Sequence, residues 1–109
     1  MKLARHLYLS PSLSNLGQTS RMLLRMGHIP HLAKCFLSLS ADGRFVYVYD
    51  HSVFKEKWFQ KSDETVFGLA ATRSEADELI AEIVALSLRE NGSPEPGPYL
   101  SRVLEALDA

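Results

Sequence analysis

The sequence predicts an α+β domain: a helix, a three- to four-stranded antiparallel sheet, a long packing helix and a short appended C-terminal helix. Three observations carry this. Residues 34–40 and 45–50 alternate apolar and polar side chains on either side of Asp42-Gly43, the strongest short-range signal of a β-hairpin. Ala76, Leu79, Ile80, Ile83 and Val84 recur at the three-and-four spacing that gives a helix one apolar stripe. Thr72 and Glu75 bracket the start of that helix at capping-box spacing, and Asn91-Gly92 supplies a left-handed stop at its end.

In chain order, Lys2 to Leu9 is short and mixed, a strand or a lead-in. Ser10-Pro11 places a capping hydroxyl and a first-turn proline where a helix should begin. Leu13, Leu16, Leu23 and Leu24 continue it as a stripe, with Gly17 and Ser20 on the same side, until Gly27 and Pro30 end it. Met22 and Met26 point away beside Arg21 and Arg25, either as a partner surface or beneath the N-terminal segment, the latter being the expectation. The hairpin puts Cys35, Leu37, Leu39, Val46 and Val48 on a core face. Its other face carries Phe36, Ser38, Ser40, Phe45, Tyr47 and Tyr49, expected to be covered by the N- or C-terminal helix. A second hairpin is expected from Phe54–Gln60 through Lys61-Ser62-Asp63-Glu64 to Val66–Ala70, followed by the 73–90 helix. Residues 1–92 would form one domain, 93–98 a proline-rich connector, and 99–109 a docking helix with Leu100, Val103, Leu104 and Leu107 on one side.

Composition bounds the class. With 109 residues, 46% apolar and 23% charged, the chain can bury a core without a disulfide or a metal. One cysteine, no secretory h-region and no membrane-length apolar run suggest a cytoplasmic protein with no membrane association. The net charge of −1 conceals a polarity: residues 1–61 hold nine bases against three acids, and residues 62–109 three bases against ten acids. Such an asymmetry suits a charged partner, or two halves that neutralise each other across the fold.

Catalytic patterns are absent. No glycine-rich phosphate loop or GxSxG elbow occurs, and the acids cluster along one helix. His28, His31 and Cys35 come nearest to a metal-ligand spacing, with His51 or His6 as a fourth ligand, but Pro30 interrupts them and neither CxxC nor HExxH is present. The expectation is a non-enzymatic protein with no cofactor and no metal.

Two surfaces remain. Glu75, Glu78 and Glu82, with Asp77 to one side, lie on the helix face opposite the apolar stripe, either as a solvated face or as a contact for a basic partner. The aromatic sheet face with Tyr47 and Tyr49, rimmed by Arg44, Lys55, Lys57 and Lys61, could stack on bases and hold phosphates.

The order helix, three strands, helix resembles the double-stranded-RNA-binding domain, although Thr72-Arg73-Ser74-Glu75-Ala76-Asp77 stands where that family places phosphate-gripping lysines. The segment ADGRFVYVYD…FKEKWFQ…FGLAATRSEADELIAEI is similar to the three-stranded DNA-binding arm of phage integrases, Thr72, Glu75 and Ala76 matching its helix start while its lysine run is missing. The run from Val66 to Ala76, in so small a strand-rich chain, resembles small phage-encoded anti-CRISPR proteins, several of which pair a bent sheet with helices and expose acidic faces.

The leading expectation is therefore an inhibitor-like accessory protein of the anti-CRISPR type, its Glu75, Glu78, Glu82 and Asp77 blocking a basic surface of a larger nucleic-acid-handling complex. The alternative is a nucleic-acid-binding module using Arg44, Lys55, Lys57, Lys61, Tyr47 and Tyr49. A third reading is a homodimer or larger structural assembly joined through Met22, Met26 and the 99–107 helix.

Overall fold

A computed structural model describes residues 1–108, with residues 16, 17, 19 and 105–108 described in backbone only. The side chains of Leu16 and Leu107, both assigned to apolar stripes, thus lie outside the described residues. The elements are β1 (Lys2–Leu9), a 3-10 turn (Pro11–Leu16) running into α1 (Gly17–Arg25), β2 (Cys35–Leu39), β3 (Val46–Asp50), a second 3-10 turn (His51–Lys55), α2 (Lys57–Gln60), β4 (Thr65–Ala70), α3 (Arg73–Asn91) and α4 (Pro96–Asp108). No helix among the described residues is long and apolar enough to cross a membrane.

The α+β class is as the sequence predicts, but the sheet is mixed. Its order is β1-β4-β2-β3, with β2 antiparallel to both β3 and β4 and β1 parallel to β4. The second hairpin does not form. Residues 51–60 wind into the 3-10 turn and α2, and β4 pairs with β2 instead. The reason is local. Strand alternation over 54–60 would put Glu56 and Gln60 on one face with Phe54 and Trp58, and Lys55 and Lys57 on the other with Phe59, leaving neither face apolar. Helical winding buries Phe54 and Phe59 together, while the Asp50 carboxylate caps the first turn by accepting from Ser52 N–H at 3.0 Å.

The sheet is covered on both faces. On one, α3 and α4 supply Ala76, Leu79, Ile83, Tyr99, Leu100 and Leu104 to a core with Cys35, Leu37, Leu39, Phe67 and Ala70, and Val46 and Val48 pack against it. On the other, Leu13 and Leu24 from the N-terminal helical segment and Phe54 and Phe59 from 51–60 enclose Phe36, Val66 and Leu69. The hairpin's core face is the one the alternation predicts. Its second face is covered only in part: Phe36 and Ser38 are buried, with Phe36 under the N-terminal helical segment and the 51–60 segment that the sequence places in the sheet, while Phe45 and Tyr47 stay exposed.

The ends of α3 follow the sequence. Thr72 Oγ1 accepts from Glu75 N–H at 3.1 Å, and Gly92 stops the helix in the left-handed region at φ 72°. The last helix begins at Pro96, so the connector's final prolines form its first turn, where a missing N–H costs nothing. It is docked tightly: a Cβ at Gly97 would collide with the Arg44 carbonyl, and Ser101 Oγ donates to Gly43 O at 2.9 Å.

Candidate functional site

The three-layer arrangement turns the charge polarity of the sequence into a polarity in space. The layer made by residues 11–34 and 51–61 holds six bases (Arg21, Arg25, Lys34, Lys55, Lys57, Lys61) and one acid, Glu56. The opposite layer, residues 71–108, holds three bases and eight acids. The sheet lies between the two layers.

On the basic layer the hairpin's aromatic face separates into a buried part and an exposed part. Phe36 and Ser38 are fully buried, Tyr49 is half-buried, and Tyr47 and Phe45 stand 39% and 54% exposed. Trp58, on α2, is 55% exposed. Its ring lies 6.0 Å from that of Tyr49, which lies 5.8 Å from Tyr47, so three rings run from helix to strand in one row. Tyr49 is the fixed member, its hydroxyl donating to Glu64 Oε1 at 3.0 Å while Ser38 Oγ donates to the same oxygen at 2.9 Å. Burial, then the Glu64 contact, pushes the Tyr49 phenol up to about 12. Lys57 adjoins Trp58 in sequence, and Lys61 follows one helical turn after Lys57, next to the row. Lys55 lies on the preceding turn, and Arg44 sits at the other end with its guanidinium 5.9 Å over the Phe45 ring. Lys55, Lys57 and Lys61 are exposed, without an ion pair among the described residues.

On the acidic layer the four predicted contact residues have different neighbours. Glu75 turns toward its own chain, accepting from Ser12 N–H at 3.0 Å and Ser12 Oγ at 2.6 Å. These bonds, with a further one from Ser10, hold its carboxyl below the usual glutamate range. The capping box is therefore only half made: Thr72 caps the helix, and the Glu75 carboxylate spans to Ser12. Asp77 pairs with Arg73 at 3.3 Å. Glu78 and Glu82 are exposed with no partner among the described residues.

Met22 and Met26 do not lie under the N-terminal segment. They are 58% and 65% exposed, beside Gln18, Arg21 and Arg25, because the 3-10 start of that helix turns its Leu13 and Leu24 side to the sheet. His28, His31 and Cys35 do not converge: among the described residues no three His, Cys, Asp or Glu side chains could hold one metal ion. Cys35 is buried, which pushes its thiol up.

Trp58 is the site residue that sequence reading overlooks. A strand from 54 to 60 hides it among alternating positions. The broken alternation across Lys55-Glu56-Lys57 was the available signal that it belongs to a helix. No family model matches the chain, and no curated protein or solved structure matches it.

Proposed function

We propose that this protein is a non-catalytic module that binds single-stranded nucleic acid on its basic layer, with Tyr47 and Trp58 stacking on bases and Lys55, Lys57, Lys61 and Arg44 holding phosphates. The observation that supports this is the exposed Trp58, in a row of rings, between Lys57 and Lys61, which have no ion pair among the described residues. The exposed part of the indole contributes nothing to folding, and a flat ring beside unpaired cations suits a base stacked above its own phosphate. Glu64, the acid bonded to the row, accepts from Tyr49 and Ser38.

The test uses the chain's one tryptophan as its own probe. Titration with an unstructured oligonucleotide should quench Trp58 fluorescence. The affinity should fall with salt at a logarithmic slope of about −3 for four contacts, from Lys55, Lys57, Lys61 and Arg44. Trp58→Ala should weaken binding at least about fivefold. Absence of binding at low salt up to high micromolar protein removes the reading.

Glu78 and Glu82 favour a second reading, the inhibitor-like accessory protein of the anti-CRISPR type. They form a like-charged i,i+4 pair on an exposed face with no ion pair among the described residues, the kind of surface that a basic partner would relieve. A protein of this kind would block the basic surface of a nucleic-acid-handling complex. Its affinity for that complex would drop on Glu78→Lys with Glu82→Lys and be indifferent to Trp58→Ala.

A further inference from the structure

β3 is an edge strand that pairs with no second strand on its outer side among the described residues, the start of α4 at Glu95, Pro96 and Pro98 reaching only the Arg44–Val46 end. Ser40 N–H donates to Phe45 O at 2.9 Å, and His51 N–H donates to Lys34 O at 2.9 Å. Antiparallel ladders alternate, so residues 45, 47, 49 and 51 turn their peptide groups to β2, and Val46, Val48 and Asp50 turn theirs outward. Folded proteins ordinarily blunt such an edge with a proline, a bulge or a lysine. Val46-Tyr47-Val48-Tyr49 has none of these, and its register with β2 is unbroken.

The residues around this edge are self-complementary. From Arg44 to Asp50 the chain reads cation, aromatic, Val, aromatic, Val, aromatic, anion. We propose that a second copy of this chain pairs antiparallel along β3, giving a two-fold dimer with a continuous eight-stranded sheet. Because only even-numbered residues offer outward peptide groups, few two-fold registers exist. Pairing Val46 with Val46 of the other copy sets Arg44 opposite Val48 and leaves Asp50 beyond the hairpin turn, with neither charge matched. Pairing Val48 with Val48 leaves Arg44 opposite Ser52. Pairing Val46 with Val48 sets Arg44 against Asp50 twice, Phe45 against Tyr49 twice, and Tyr47 against Tyr47 on the axis.

The side chains are free to do this. Asp50 uses Oδ2 for Ser52 N–H and Oγ, with His51 Nε2 4.0 Å from the same oxygen, leaving Oδ1 open, and its side chain is 63% exposed. Arg44 is exposed and has no ion pair among the described residues. Charge complementarity selects a second copy over a foreign strand, since both ends of the edge are matched by the chain's own sequence. The axis stands perpendicular to the sheet, so both basic layers share one side of the dimer and both acidic layers the other.

Sedimentation or light scattering over a concentration series tests this. The mass should rise from 12.2 kDa toward twice that value. Tyr47→Lys places two ammonium groups together on the axis without entering a core, and should return the protein to monomer with its circular dichroism unchanged. The register is read by cross-linking. Residue 47 meets its copy in a non-hydrogen-bonded pair with Cα atoms about 4.5 Å apart, within disulfide reach. Tyr47→Cys should therefore form a covalent dimer under mild oxidation, while Phe45→Cys, opposite residue 49, should not. A mass fixed at 12.2 kDa up to about 1 mM overturns the proposal. So does a dimer that survives Tyr47→Lys, or equal cross-linking of the two cysteine variants.

Discussion

The Glu75 carboxylate closes on Ser12 across 63 residues of chain, taking its N–H at 3.0 Å and its hydroxyl at 2.6 Å. One side chain thereby ties the start of α3 to the first turn after β1, above the paired carboxyl ends of β1 and β4. Ser10 works in parallel, its N–H donating to Leu69 O at 3.1 Å and its Oγ accepting from Ala71 N–H at 3.0 Å. This seam holds the parallel pair, the feature of the sheet that pattern reading does not predict.

The seam should be sensitive to acid. Hydrogen bonds from Ser12 lower the Glu75 pKa in the folded state, so the folded state favours the charged form. Its contribution is complete above the ordinary glutamate pKa and disappears as pH falls through the depressed folded value. Glu75→Gln should lower the urea midpoint at pH 7, and the gap from wild type should narrow steadily below about pH 4.3. An equal gap at all pH values would show that the charge of Glu75 plays no part.

Gly97 should tolerate no side chain. A methyl group there meets the Arg44 carbonyl, a backbone atom held by the hairpin turn. Gly97→Ala should destabilise by about 1–3 kcal/mol despite the better helix propensity of alanine. Thermal melting would register this as a drop of several degrees. Gly92→Ala should also destabilise, by about 1 kcal/mol, through its φ of 72° and not through crowding, since open space surrounds it.

The 51–60 segment should divide sharply between core and surface. Phe54 and Phe59 are fully buried against Phe36, with ring centroids 5.6 and 5.1 Å from it. Phe54→Ala or Phe59→Ala should cost about 3–5 kcal/mol. Trp58→Ala, next in sequence to Phe59, should cost less, about 1–2 kcal/mol, because Trp58 is 55% exposed and only one side of its ring packs on Tyr49 and Phe59. Chemical denaturation of the three variants separates a structural tryptophan from one kept for a ligand.

Tyr49 should be the last phenol to ionise. Burial and its bond to Glu64 favour the neutral form in the fold, with the pKa near about 12 against an ordinary 10.0. The stabilisation is intact below pH 10.0 and is lost as pH rises through the folded value. Ultraviolet titration of wild type against Tyr49→Phe should remove the most alkaline step. Removal of an earlier step instead would place the Tyr49–Glu64 contact in doubt.

Local signals made much of the fold legible. Thr72 and Gly92 mark both ends of α3 to within a residue, because a cap hydroxyl and a left-handed glycine act on their nearest neighbours. Asp42-Gly43 locates the hairpin, with Gly43 at φ 74°, for the same reason. Strand partnership was not legible. Whether β4 joins β2 or a neighbour in sequence depends on which apolar faces remain to be covered, a property of the whole chain. The acidic row was legible as a row, but the destination of the Glu75 carboxylate was not, since Ser12 comes near only after β1 has paired with β4. Exposure at Met22, Met26 and Trp58 likewise follows from which layer each helix joins.

The sheet's position between two oppositely charged layers also governs how the molecule meets charged matter in bulk. Titration sees a near-neutral particle with an isoelectric point near 6.4. A resin or a fibre sees whichever side approaches it. At neutral pH and low ionic strength the same preparation should cling to sulfonate beads and to quaternary-amine beads alike, a dual retention that its modest overall charge gives no reason to expect.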